Sequence, residues 1–172
     1  MKNNIVLIGM PGSGKSTVGV LAAKLLGLDF VDCDLLIQKK EGKKLHEIIK
    51  EQGAEYFLRV EEEILLSLNL EKTLIATGGS AVYSKNGMEK LKSIGTVVYL
   101  KVSLGELKKR ITNFDTRGII MRNGTSLEDL CNERLPLYEN YAEITVNCSR
   151  KRLEDNAQAL IEALGKNNFK KF

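Results

Sequence analysis

Two rhythms of apolar and polar residues share the chain. Short runs rich in aliphatic residues read as strands at 5–8, 28–31, 73–76, 96–100 and 144–146. Between them, composition and longer spacing predict helices over 18–26, 84–93, 104–111, 127–141 and 153–164, and a helix-rich stretch at 35–70 broken at Gly42 and Gly53. Within 56–70, Phe57, Val60, Ile64, Leu65 and Leu68 recur at helical spacing, and Glu61, Glu62 and Glu63 read as a solvated face. Pro136 is expected to kink or divide its helix. Residues 112–124 break the pattern with Asn113, Asp115, Gly118, Asn123 and Gly124, which predicts a mobile loop carrying Arg117 and Arg122. The basic tail, 166–172, is expected to fray. Strands alternating with helices imply an α/β fold, a parallel sheet with helices on both faces. No repeat or linker interrupts it, so 1–172 is read as a single domain.

The strongest chemical signal is Gly9-Met-Pro-Gly-Ser-Gly-Lys-Ser-Thr17, which follows the first strand and opens the first helix. That is the context in which a phosphate-binding loop works. Its glycines let backbone N–H groups approach a phosphate chain, and the helix N-terminus favours the same anion. Gly12, Ser13, Gly14, Lys15, Ser16 and Thr17 are therefore nucleotide-binding candidates. Lys15 reaches the terminal phosphates and the Ser16 hydroxyl is a Mg²⁺ ligand. Asp32 and Asp34 close the second strand, where open α/β sheets bind ligands. Asp34 is the candidate base or acceptor-orienting group, and Asp32 the candidate carboxylate around Mg²⁺. Arg117 is placed to close over the phosphates and exclude water. Gly78 and Gly79 form either a backbone that a substrate approaches closely or a plain turn. His46, the single histidine, reads as a solvated helix residue.

Composition adds mainly exclusions. The 172 residues are 43% hydrophobic and 28% charged, with a net charge of +4, which suits anionic small molecules as well as any larger partner. Three scattered cysteines fit neither a disulfide framework nor a zinc site. No run reaches membrane-spanning length, and the first apolar run is too short for a signal peptide and runs into the glycine loop. The expectation is a cytoplasmic monomer with neither nucleic-acid nor membrane partner.

Several separate motifs together resemble the shikimate kinases. They are the loop at 9–17, Asp32 with Asp34, Gly53…Phe57…Glu61, Gly78-Gly79, Arg110, Arg117, and Arg134-Leu-Pro-Leu-Tyr138 with Ala142. The resemblance implies a P-loop kinase with parallel strand order 2-3-1-4-5, an acceptor-binding region at about 32–62 and a lid at about 112–124. It implies ATP with Mg²⁺ and phosphoryl transfer to the 3-hydroxyl of shikimate, part of aromatic amino acid biosynthesis. By the same resemblance, Asp34 contacts the ring hydroxyls, Arg134 binds the carboxylate, Arg117 reaches ATP and Arg110 lies by the adenine. Three positions depart from the family. Leu58 stands where an arginine follows the phenylalanine, with Arg59 next to it as the candidate replacement. Ser80 replaces a third glycine, and the lid reads Arg117-Gly118-Ile119-Ile120 in place of Arg-Pro-Leu-Leu. These departures leave open a related kinase with another hydroxylated acceptor. Two other classes are a non-catalytic nucleotide sensor and a GTP switch built on Asp115-Thr116-Arg117-Gly118; the switch lacks an Asn-Lys-x-Asp guanine motif.

Overall fold

The computed structural model describes residues 3–111, 118–121, 124–149 and 152–167. Most of the loop at 112–124, with Arg117 and Arg122, and the tail beyond 167 lie outside the described residues. In chain order the elements are β1 Asn4–Ile8, α1 Lys15–Leu26, β2 Asp29–Asp32, α2 Cys33–Glu41, α3 Leu45–Gln52, α4 Ala54–Ser67 and β3 Thr73–Ala76. A short 3₁₀ helix, Ala81–Tyr83, follows, and then α5 Lys85–Ile94, β4 Gly95–Lys101, α6 Leu104–Arg110, α7 Leu127–Tyr141, β5 Ile144–Asn147 and α8 Leu153–Lys166.

The strands form one parallel sheet in the order β2-β3-β1-β4-β5. β1, in the middle, is buried along its whole length, which explains its unbroken apolar sequence. The crossover from β1 through α1 runs toward the β2 edge, whereas the one from β3 through α5 runs toward the β5 edge. With right-handed crossovers, α1 and α5 lie on opposite faces. α8 packs on α1, and α4 on α5. At the start of β1, buried Asn4 donates to the carbonyls of Leu70 (2.6 Å) and Ile94 (2.9 Å) and accepts from the Thr73 amide (3.0 Å). One side chain thereby ties three strand beginnings together.

Three details differ from expectation. α7 runs undivided through Pro136. Pro136 and Asn132 are both exposed, so the carbonyl freed by the missing N–H faces water. Glu61 does not belong to a solvated face: it is 1% exposed, in the core with Phe57, Ile64 and Leu65. It stands four residues after Phe57 and three before Ile64, on the buried stripe of α4. His46 is half-buried rather than fully solvated. The three cysteines are buried, and none forms a disulfide among the described residues. No helix of the described residues is long and apolar enough to cross a membrane.

Candidate functional site

The loop after β1 turns through Gly12 and Gly14, both with left-handed backbone at φ 79° and 94°. A Cβ on Gly12 would stand 2.7 Å from Ile111 Cγ1. Gly14 caps α1 without a side chain, leaving the first-turn N–H groups for an anion. Ser13 is buried, its hydroxyl without a partner among the described residues. Lys15 folds back, and its Nζ donates to the carbonyls of Gly9 (2.7 Å) and Met10 (3.0 Å). Burial pushes this ammonium down to about 8, against the pull of the Asp34 charge. Ser16 and Thr17 are exposed and open onto a cavity of about 680 Å³.

The strand order puts this loop midway across the cavity. On the β2–β3 side the walls are Asp34, Phe57, Gly78, Gly79 and Ser80; on the β4–β5 side they are Arg110, Arg152 and Leu153. Asp34 sits in the first turn of α2, whose N-cap is Asp32: Asp32 Oδ1 accepts from the Asp34 amide at 2.9 Å. The cap occupies Asp32, which does not line the cavity, and turns Asp34 toward it. Burial, reinforced by the Asp32 charge, pushes the Asp34 carboxyl up to about 6, while Lys15 holds it down.

Gly78 has no room for a side chain, because a Cβ there would run into the Glu61 carboxyl. The Gly79 carbonyl accepts from Tyr138 Oη at 2.6 Å, and the Tyr138 ring stacks on Tyr99. A Cβ on Gly79 would lie 3.1 Å from Arg134 Nη1, so the guanidinium of Arg134 backs this wall. Arg134 is 1% exposed. Its Nε donates to Tyr83 Oη (3.0 Å) and its Nη2 to the Ile120 carbonyl (2.8 Å). Arg110 donates from Nε to Glu106 and from Nη2 to the Cys148 carbonyl, both at 3.1 Å, and lines the far end of the cavity. Arg117 lies outside the described residues.

Arg59 is not brought to this cavity. It is exposed, with its guanidinium 5.8 Å from the centroid of the Tyr56 ring. It borders a second cavity of about 300 Å³ that it shares with Leu58, Glu61 and Ser80. Each helical residue turns about 100°, so position 59 faces away from the stripe that carries Phe57 and Glu61.

With Gly12, Gly14 to Thr17, Asp34 and the Gly78-Gly79 turn lining one cleft and Arg134 behind its wall, the comparisons with known proteins become specific. The shikimate kinase family model matches residues 11–165. The chain belongs to the shikimate kinase family. It is accordingly a phosphotransferase with an alcohol group as acceptor. A shikimate kinase of Clostridium botulinum (strain 657 / Type Ba4) is 45% identical over 153 residues, 86% of this chain and 89% of that protein. The solved shikimate kinase from Acinetobacter baumannii in complex with shikimate has a TM-score of 0.90 at 32% identity, over 98% of this chain and 96% of that one. The Aquifex aeolicus shikimate kinase follows at a TM-score of 0.80 and 31% identity, over 95% and 97% of the two chains.

Against the shikimate kinase pattern, three of the departing residues, Ser80, Gly118 and Ile119, stand on the main cavity wall, while Leu58 borders only the smaller one. Residue-by-residue reading missed Tyr83, Arg152 and Leu153. They carry no local motif and reach the site through folding alone. Glu61 was findable from its place on the α4 stripe.

Proposed function

We propose that the protein transfers the γ-phosphoryl group of ATP to a hydroxyl of a small hydroxy acid, and that this acid is shikimate. One observation carries the reading: a single cavity is walled by both the phosphate loop and Asp34, with the buried Lys15 ammonium close enough to influence the Asp34 carboxyl. A nucleotide fits the cradle. Lys15 is held only by loop carbonyls, which a phosphate can replace, and the first turn of α1 offers unused N–H groups. Mg²⁺ fits as well. The described residues contain no group of three or more His, Cys, Asp or Glu side chains that would form an all-protein cage. The hydroxyl of Ser16 opens to the cavity, and Mg²⁺ bound beside phosphates needs few protein ligands. When bound, it neutralises charge on the phosphate oxygens.

The chain's own residues do the rest. Gly12 to Thr17 hold the phosphates through backbone N–H groups. Lys15 turns from the Gly9 and Met10 carbonyls to the transferring group and stabilises its charge. Asp34, ionised above about pH 6, orients the acceptor hydroxyl and takes its proton. Arg134, pre-oriented by Tyr83 and the Ile120 carbonyl, meets the acceptor carboxylate. Arg110, Arg152 and Leu153 receive the base, and Arg117 closes over the phosphates.

A second reading, a related hydroxy acid as preferred acceptor, is favoured by the position of Arg59 outside the cavity with Leu58 beside it. A coupled ADP-release assay with shikimate, quinate and gluconate decides. Shikimate-dependent release with a KM above the micromolar range is expected. Preference for another acid would move the assignment to the second reading, and no acceptor-dependent release with any of the three would sink the kinase reading.

A further inference from the structure

Among the described residues, Glu61 is the only buried acid. Its Oε2 accepts from Ser80 Oγ at 2.7 Å, and its Oε1 has no partner among the described residues. Oε1 overlaps the place where a Gly78 Cβ would stand, and Asp34 Oδ1 lies 3.0 Å from that same place. Two carboxyl groups therefore converge on Gly78, Asp34 from the main cavity and Glu61 from the smaller cavity behind it. Among the described residues no guanidinium takes up that oxygen: Arg59 lies outward over Tyr56, and Leu58 is apolar. An ionised carboxyl so placed is costly. An acid acceptor beside Asp34 would bring a third negative charge to the same corner.

We propose that Glu61 is a specificity-determining group that holds a proton when the acid acceptor is bound and donates it, as a hydrogen bond from Oε1, to an acceptor oxygen beside Asp34, while Ser80 fixes Oε2. The proposal rests on the kinase reading above. The proton comes from solvent as the acceptor enters, so no other group of the protein changes state. The groups facing Glu61 divide. Burial favours the proton most, and the Asp34 charge on α2 adds to it. Ser80, Arg134 of α7 and Lys15 of α1 oppose it. The nearby Cys33 thiol is held neutral by burial. The balance pushes the Glu61 carboxyl up to about 7 before any acceptor arrives.

The test measures proton uptake, independently of turnover. Shikimate is titrated calorimetrically into the protein with a non-hydrolysable ATP analogue, in buffers of different ionisation enthalpy. Uptake of about one proton per shikimate is expected at pH 8, falling toward zero near pH 6. Glu61→Gln keeps a donor through its amide but cannot titrate. It should bind shikimate with no uptake and a flat pH dependence, whereas the wild type weakens about tenfold per pH unit above about pH 8. Leu58→Arg supplies a cation in place of the proton and should also abolish uptake while tightening shikimate. Ser80→Gly removes a bond to the ionised form and should move the pH limb upward. Shikimate binding without uptake in the wild type at pH 8, or equal uptake in Glu61→Gln, overturns the proposal while leaving the kinase intact. Acceptor-dependent ADP release with quinate or gluconate but no shikimate binding overturns the shikimate assignment and this proposal with it.

Discussion

At the scale of single residues, the site holds charge where water cannot easily reach it. Asp34, half-buried on the cavity wall, has its carboxyl pushed up to about 6. On the proposed mechanism it must be ionised to take a proton, so kcat should fall about tenfold per pH unit below about pH 6. Asp34→Asn should lower kcat by about a hundredfold or more while nucleotide binding persists. The sign for stability is opposite. A carboxyl raised on folding is favourable only below its unfolded value and becomes a burden as pH passes the folded one. At pH 7 Asp34→Asn should therefore stabilise the free protein by on the order of 2 kcal/mol, a gain that shrinks toward pH 4 in urea titrations. Lys15→Ala should remove turnover from a still-folded protein. Retention of more than about a tenth of kcat, a loss under about 1.4 kcal/mol, would remove Lys15 from the chemistry. The place of both residues at the cavity was legible in the sequence because each belongs to a local motif. The burial of Glu61 was missed although its place on the α4 stripe carried it, and the outward direction of Arg59 depends on the phase of α4 against its neighbours and not on residue type.

At the scale of elements, the strands were legible almost to the residue: strands buried in a parallel sheet read as apolar runs. The helices were found, with ends shifted by caps such as Asp32 and Ser84 that bring the chain into the first turn. The 3₁₀ helix Ala81–Tyr83 was not found, since three residues carry no periodicity. It matters here because it carries Tyr83 to Arg134. The turn between β3 and this helix packs directly on α4, and Gly78 is the point of closest approach. Gly78→Ala should push the Glu61 carboxyl out of place. The expected result is a lowered Tm and a raised acceptor KM with the ATP KM little changed; an unaltered acceptor KM would show that α4 yields without disturbing the site.

At the scale of the molecule, structural and chemical demands sit at opposite ends of the sheet. Asn4 ties β1, β3 and β4 at their starts, roughly 13 Å from the loop that follows β1. Asn4→Ala should cost about 2–4 kcal/mol by stranding buried backbone groups. Activity per folded molecule should not change, and a loss of kcat in the folded fraction would show the two ends to be coupled. The strand order itself came from family resemblance and not from the hydrophobic pattern, which contains no information on which strand lies beside which. The bonds from Lys15 to the Gly9 and Met10 carbonyls bear on the pace of the whole cycle. A cation that serves a phosphate must be satisfied again each time product departs. On the kinase reading, these two carbonyls offer the ammonium a resting position, so a departing nucleotide need not strand a buried charge, and the same position weakens the hold on the next one.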